Sequence, residues 1–429
     1  MTKRSRYLLI VFCVVLFAIL APLTIFYSMG LSFDWQKKSL TKTGILAFFT
    51  EPKEPKVFLD GKEVEQPVST LRFLKPKDYT LKFELPGYCS WQKRLPVNPE
   101  QVTWVSPFDS KIYLLKSAPN TNVLATGTED FFYKENYVFA AKTNSLSVIS
   151  TKNFAEKKFP LEGKLRYITP LNTSSDFLLE LKLTASTSTF SVFNQTLGTL
   201  NKIPGDFSTE TKIFTHNNDY LVFEKNILYS LEPKSGEKKV LLKNVLDFVI
   251  LFSDGYILTK GDNSSVLYNF PLNNIGQINE LAKLQSFSKA KIFVTEEKQI
   301  FILADKKLYE LGLQIKNIGS AEFAYFEQTS PNLIYFGQGE TFFFDFSSNQ
   351  QKLISRTSEK ITNLLLASNL GYAILQKGQK IEALELDTRD AQNNCVLYQG
   401  QNIIKIFPDE DNHRLFVLDG NELKMLEIR

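Results

Sequence analysis

Histidine is almost missing from this chain: 429 residues carry only His216 and His413. Hydrolytic and proton-transfer chemistry generally needs a base near neutrality, most often a histidine, or a tuned pair of carboxylates. Both histidines fall in polar turn sequences, residues 215–219 and 409–413, where a solvated turn residue is the expected role. The sequence also has no HExxH, no GxSxG, no GxxxxGKS/T and no GxGxxG, so the common metalloprotease, hydrolase and nucleotide-binding signatures are excluded. Gly337 and Gly339 around Gln338 look like the start of a phosphate loop. They join two strand-like runs, however, and a hairpin turn is the better reading.

Cysteine is also scarce: Cys13, Cys89 and Cys395, with no CxxC pair. A thiolate zinc site or a dithiol redox centre therefore has no local support. The expectation is three unpaired, mostly buried thiols rather than a Cys89–Cys395 disulfide, and a fold that does not depend on disulfides. No small residues precede Cys13 as a lipoprotein cleavage site would require. Charge is nearly balanced at +4, and lysine and arginine are scattered. No basic run interleaved with aromatics exists, which excludes nucleic acid as a partner. Carboxylates cluster at Asp409, Glu410 and Asp411, and turns hold Asp254 and Asp262. None of these loops has the spaced oxygen ligands of a calcium loop. No catalytic, cofactor or metal residue is assigned. The remaining enzymatic alternative is a glycan-active hydrolase whose carboxylates come from different repeats and meet at a central channel.

Aromatic residues are abundant instead, with 36 Phe and 17 Tyr. Such side chains suit a pleated, half-buried surface and favour strands. The one long apolar run is residues 7–29, which has no charged residue and follows Lys3, Arg4 and Arg6. At 1.5 Å rise per residue it is long enough to cross ~30 Å of hydrocarbon. It exceeds the h-region of a cleaved signal peptide and lacks an A-x-A site. An uncleaved signal anchor is expected, with the membrane as partner through residues 7–29. Pro22 inside it is tolerable in a membrane helix. The basic flank favours a cytoplasmic N-terminus and an exported body. Residues 30–43 are then a linker.

Residues 44–116 alternate in short strands. Asp60-Gly61 between apolar runs is a strong hairpin signal, since both positions need φ > 0. Residues 79–85 place Tyr79, Leu81, Phe83 and Leu85 on one face, and Pro86-Gly87 turns the chain. Val57, Leu59, Leu81, Phe83 and Trp91 are core candidates in a small antiparallel β-sandwich. These residues resemble a PEGA domain, an exported β-module. The resemblance is carried by Gly44, Pro52, Val57-x-Leu59-Asp60-Gly61, Pro67, Leu74-x-Pro76, Gly87-Tyr88, Trp91 and Val97. Residues 52–55 read Pro-Lys-Glu-Pro where the family's namesake tetrapeptide would stand. Lys77 and Glu65 replace turn glycines. The resemblance implies a β-sandwich outside the cytoplasm and assigns Asp60, Gly61, Gly87 and Tyr88 as structural turn residues.

From residue 120 to 429 one theme repeats. The clearest strands start at 137, 177, 220, 256, 300, 333, 372 and 415, about 40 residues apart, the period of a four-stranded propeller blade. A single blade cannot bury both faces of its twisted sheet, whereas radially stacked blades bury each other's. Eight units are counted, with seven blades as one alternative and tandem sandwiches as another. The unit at 402–429 ends after three strands, and residues 122–126 can supply the fourth and close the ring. The whole is thus an all-β chain with one N-terminal transmembrane helix, residues 1–29, ahead of the PEGA-like module and the propeller. It reads as a non-catalytic binding or scaffold protein of the cell envelope, offering a propeller to a protein or glycan.

Overall fold

The computed structural model describes residues 3–28, 30–34, 39–64, 69–107, 111–171, 176–194, 199–208, 210–216, 219–232, 234–251, 253–274, 276–295, 297–312, 315–326, 332–345, 350–409, 411 and 413–429. The N-terminal helix Lys3–Ser28 carries no charged residue beyond Arg6, and Leu9, Phe12 and Phe17 are all exposed. Thr24 Oγ1 donates back to the carbonyls of Leu20 and Ala21, at 3.1 and 2.8 Å, so its hydroxyl is satisfied within the helix near Pro22. Its side chains are described without interruption over residues 9–22 only. Among the described residues no helix is long and apolar enough to cross a membrane. Cys13 is free and exposed on this helix, not buried.

The stretch expected to be a plain linker is folded. Leu31–Asp34 pairs antiparallel with Ser39–Lys42, and Thr43 N–H donates to Gly30 O at 3.0 Å. The module that follows is a sandwich, but not an all-antiparallel one. One sheet orders Lys62–Glu63, Lys56–Leu59, Lys77–Glu84 and Trp91–Val97 as antiparallel neighbours. Elsewhere Val102–Trp104 runs parallel to Gly44–Ala47, and Lys111–Tyr113 parallel to Phe49–Glu51. Parallel pairing needs a long connection, and the antiparallel sheet itself supplies it, because it separates the paired strands in sequence. Asp60 and Gly61 have φ of 49° and 80°, the mirror-image two-residue turn. Val57, Leu81, Phe83 and Trp91 are buried in this module's core.

The remainder is a ring. Among the described residues, eight consecutive antiparallel sheets follow one another, each built on a four-stranded meander, and in the second Phe207–Ser208 adds a fifth strand on Thr187–Asn194. The first strands of successive sheets touch, as Asp130–Lys134 does with Lys164–Pro170 and Ile361–Ala367 with Ile403–Pro408, so the first strands line the axis. The eighth sheet is completed by Thr121–Thr126 lying antiparallel to Glu422–Glu427, with Asn122 opposite Met425. Each of the eight junctions between blades holds its own buried apolar cluster. The abundant phenylalanines are spent there. Phe139 meets Phe177 at 4.0 Å between ring centres, Phe214 meets Phe248 at 4.1 Å, and Tyr133 stacks on Phe416 at 4.8 Å across the closing junction. At 25 cal/mol per Å², each buried aromatic contributes on the order of 2–3 kcal/mol.

Candidate functional site

The most elaborate polar site lies where the sandwich meets the ring. Strand Trp91–Val97 alternates buried and exposed residues, and its inward positions are Trp91, Lys93, Leu95 and Val97. A lysine thus occupies a core position, with a fully buried side chain. Its ammonium lies 2.8 Å from Glu385 and 3.3 Å from Asp387, and donates to the Asp387 carbonyl at 2.7 Å. Glu385 also accepts from Trp91 Nε1 at 2.9 Å and from Asn393 Nδ2 at 2.7 Å. Arg389 grips Asp387 and donates to the carbonyls of Trp104, at 3.0 Å, and Val105. Burial works to raise the Asp387 carboxyl. Hydrogen bonds from Arg389 and the charge of Lys93 outweigh it and hold the group below the usual carboxylate range. Burial pushes the Tyr372 phenol far above its ordinary value, and this hydroxyl donates to Tyr113 O at 3.0 Å.

The free edge of the same strand is also covered. The outward N–H groups of Gln92 and Arg94 donate to Asn393 Oδ1 and Asp390 Oδ2, at 2.8 and 2.7 Å. Side chains of one propeller loop, between Glu385 and Asn394, therefore replace a neighbouring strand and blunt an edge that would otherwise invite pairing. Only about 20 Å³ stays open near Trp91, Ile112, Leu370 and Tyr372.

Cys89 and Cys395 form a disulfide, with Cα atoms 5.8 Å apart and a sequence separation of 306. The expectation of unpaired thiols is thereby corrected. Sequence distance concealed the pair, because docking of the sandwich on the seventh blade brings the two residues together. Of the four turn residues assigned from the sequence, Gly87 and Tyr88 sit beside this bridge. Gly87 has φ 82°, its carbonyl accepts Ser117 N–H, and Tyr88 bridges to Lys116. Asp60 and Gly61 lie apart from it, where Asp60 accepts from Thr80 N–H at 2.9 Å and Lys77 Nζ at 2.6 Å.

The ring offers less in the way of chemistry. His413 is exposed; the side chain of His216 and all of Glu410 lie outside the described residues. Among the described residues no group of three or more His, Cys, Asp or Glu is placed to hold a metal. Asp254 is paired with Lys298 at 2.9 Å. On the axial strands Asp130 is tied to Lys405 at 2.7 Å. Asp247 accepts Ile292 N–H at 2.9 Å. Burial raises the Asp247 carboxyl, opposed by that hydrogen bond and by the ammonium groups of Lys212 and Lys291. Gln338 and Gly339, with φ of 55° and 80°, form a two-residue hairpin turn between Asn332–Gly337 and Glu340–Asp345. A cleft of about 580 Å³ opens on the sandwich beside Phe48, Phe49, Lys53, Pro55 and Lys111. Its Glu51 is already held by Lys111 and Arg429.

Comparison with known proteins agrees with this division. Residues 43–109 match the PEGA domain family. A eukaryotic initiation factor structure superposes with a TM-score of 0.51 at 12% identity, covering 73% of this chain and 93% of its own. The Dos1 propeller superposes with a TM-score of 0.50 at 13% identity, covering 73% and 95%. At such identities the likeness is one of fold. No curated protein matches the sequence. The chain is a PEGA domain joined to a β-propeller.

Proposed function

We propose that this protein is a membrane-anchored, extracytoplasmic, non-catalytic scaffold that presents its propeller rigidly to a protein partner. The observation that carries the reading is the joint itself. A buried ammonium shared by two carboxylates, a capped strand edge and a disulfide join two domains that a short connection alone would leave mobile. A scaffold requires that fixed geometry, whereas a mobile tether does not. Export is supported by the disulfide, since such bonds persist in oxidising compartments and are rare in the cytosol. Anchoring is supported by the uncharged sequence of residues 7–29 behind Lys3, Arg4 and Arg6. A non-catalytic role is supported by the way the axial carboxylates are engaged. Asp130 pairs with a lysine and Asp247 with a backbone N–H, and the charges acting on Asp247 are cationic.

The test uses intact cells carrying one epitope before Tyr7 and another after Arg429. Added protease should remove the second and spare the first. Protection of the C-terminal epitope overturns the reading, and release of a soluble body into the medium replaces anchoring with cleavage. Chemical crosslinking followed by pull-down of the full chain should then recover a discrete partner.

A further inference from the structure

The cleft on the PEGA domain has the parts of a binding site. Strand Phe49–Glu51 lies parallel to Lys111–Tyr113 with Phe49 opposite Lys111, so Phe49, Glu51 and Lys111 share one face. Buried Phe48 and Val57 belong to the lining, while Lys53, Glu54 and Ser69 stand exposed around it. The volume of about 580 Å³ falls within the range of small-ligand sites, on the order of 300–1,000 Å³. A gap between short strands would explain the volume but not the rings beside it. Phe49 is 50% exposed, and Trp104 of the adjoining sheet is 45% exposed. Their ring centres are 6.4 Å apart and their planes inclined by 31°, which leaves much of both rings open. Most phenylalanines of this chain are buried between blades. Two large rings left together at a concave surface mark a ligand-binding groove.

The ring holds this cleft in shape. Arg429, just beyond strand Glu422–Glu427, pairs with Glu51 and lies over the Tyr113 ring at 4.7 Å. Lys111 reaches Glu51 at 3.5 Å, and Leu114 N–H donates to Glu51 O at 2.9 Å. A site fixed before its ligand arrives loses less on binding. Charge then decides what fits. The lining holds two cations, Lys53 and Lys111, and two carboxylates, Glu51 and Glu54, so it favours neither an acidic nor a basic ligand. An ammonium only donates and a carboxylate only accepts, whereas a hydroxyl does both. Such a lining suits a polyhydroxyl ligand, and a sugar ring adds a C–H face that packs on an aromatic one. A lipid chain would need apolar surface without charges between. A proline-rich peptide offers carbonyls, which call for donors alone.

We infer that this cleft, with Phe49 and Trp104 as its platform, binds a neutral polysaccharide. The two rings receive the C–H faces of sugar units, and Lys53, Glu54 and Ser69 bond their hydroxyls. The inference goes beyond the scaffold reading: the propeller keeps its protein partner, and the PEGA domain takes a glycan. Its test needs neither export nor anchoring.

The full chain, purified in a detergent without a sugar headgroup, is titrated calorimetrically with chitohexaose and with cellohexaose. A hexagalacturonate and a proline-rich decapeptide serve as comparisons. At least one neutral hexaose should bind, with an affinity that added salt leaves unchanged, since the ligand has no charge to screen. Phe49→Ala and Trp104→Ala should each weaken binding about tenfold, while Phe49→Tyr and Trp104→Phe should retain it. Phe154→Ala removes a ring of the first blade that is 51% exposed, and it should bind as the parent does. Unfolding curves of all variants should coincide. Binding of neither hexaose, undiminished binding by both alanine variants, or binding of the hexagalacturonate or the decapeptide in place of a hexaose overturns the inference. Such an outcome leaves the protease result, and with it the anchored scaffold, untouched.

Discussion

The Lys93 ammonium and the Glu385 carboxylate meet at 2.8 Å across the junction of two domains, with side chains 0% and 8% exposed. A buried pair of this kind is costly to break, because the surviving charge has no water to solvate it. Replacing Lys93 with Met leaves buried Glu385 without its cation, while Asp387 keeps only Arg389. The expected loss is about 3–5 kcal/mol. Calorimetry should show one cooperative transition for the parent and a separate, earlier transition of the PEGA domain for Lys93→Met. A single unchanged transition would show that the joint does not couple the domains.

The Cys89–Cys395 bridge closes a loop of 306 residues, so it restricts the unfolded chain strongly. Changing both cysteines to Ala should cost about 3–5 kcal/mol, read as a fall in the midpoint of urea unfolding. Under non-reducing denaturation, maleimide should modify Cys13 alone; reaction at three sites before reductant is added would contradict the bridge.

Glu224 shows how the ring responds to acid. Burial would raise its carboxyl, but Ser208, Lys238 and Thr211 hydrogen-bond to it and lower it to about 2. A group depressed on folding contributes stability above its unfolded value of 4.5, and that contribution fades as pH falls towards 2. Urea midpoints should therefore be flat from pH 7 to about 5 and fall steadily below 4.5. In Glu224→Gln the fall should be shallower and the midpoint at pH 7 lower.

At Gly61 the backbone sits at φ 80°, and nothing lies within 4 Å of where a Cβ would stand. Any cost of Gly61→Val is therefore conformational, expected at about 1 kcal/mol or somewhat more. A denaturant midpoint indistinguishable from the parent would show that the turn relaxes to another form.

Much of this architecture was legible because it is local or periodic. The Asp60-Gly61 turn, the eight strand starts near 137 to 415 and the missing fourth strand all follow from residue type and spacing. The joint was hidden because its partners lie about 290 to 306 residues apart and no periodicity links them. One signal could have found it. In an otherwise regular alternation of Trp91, Leu95 and Val97, Lys93 holds an inward position, and a charge with core parity implies a buried counter-charge. The parallel pairings were missed because three-residue strands such as Val102–Trp104 and Lys111–Tyr113 are too short to show a period. The bulges between Leu165 and Tyr167 and between Val245 and Asp247 were also missed, since a register shift changes geometry without changing the hydrophobic pattern.

The strand that closes the ring also sets a timetable. Thr121–Thr126 leaves the ribosome before any of the eight axial strands, yet its partner Glu422–Glu427 follows some three hundred residues later. At 5–20 residues per second that interval lasts roughly 15–60 s. Throughout it the first-made strand has no partner, and Phe131 and Val138 lack the Phe416, Leu418 and Met425 that cover them in the finished ring. Blades can stack as they emerge, but the circle cannot lock until synthesis is nearly complete. The nascent protein thus carries uncovered apolar surface for most of its making, and a break near the end of the message should yield an open, adhesive arc.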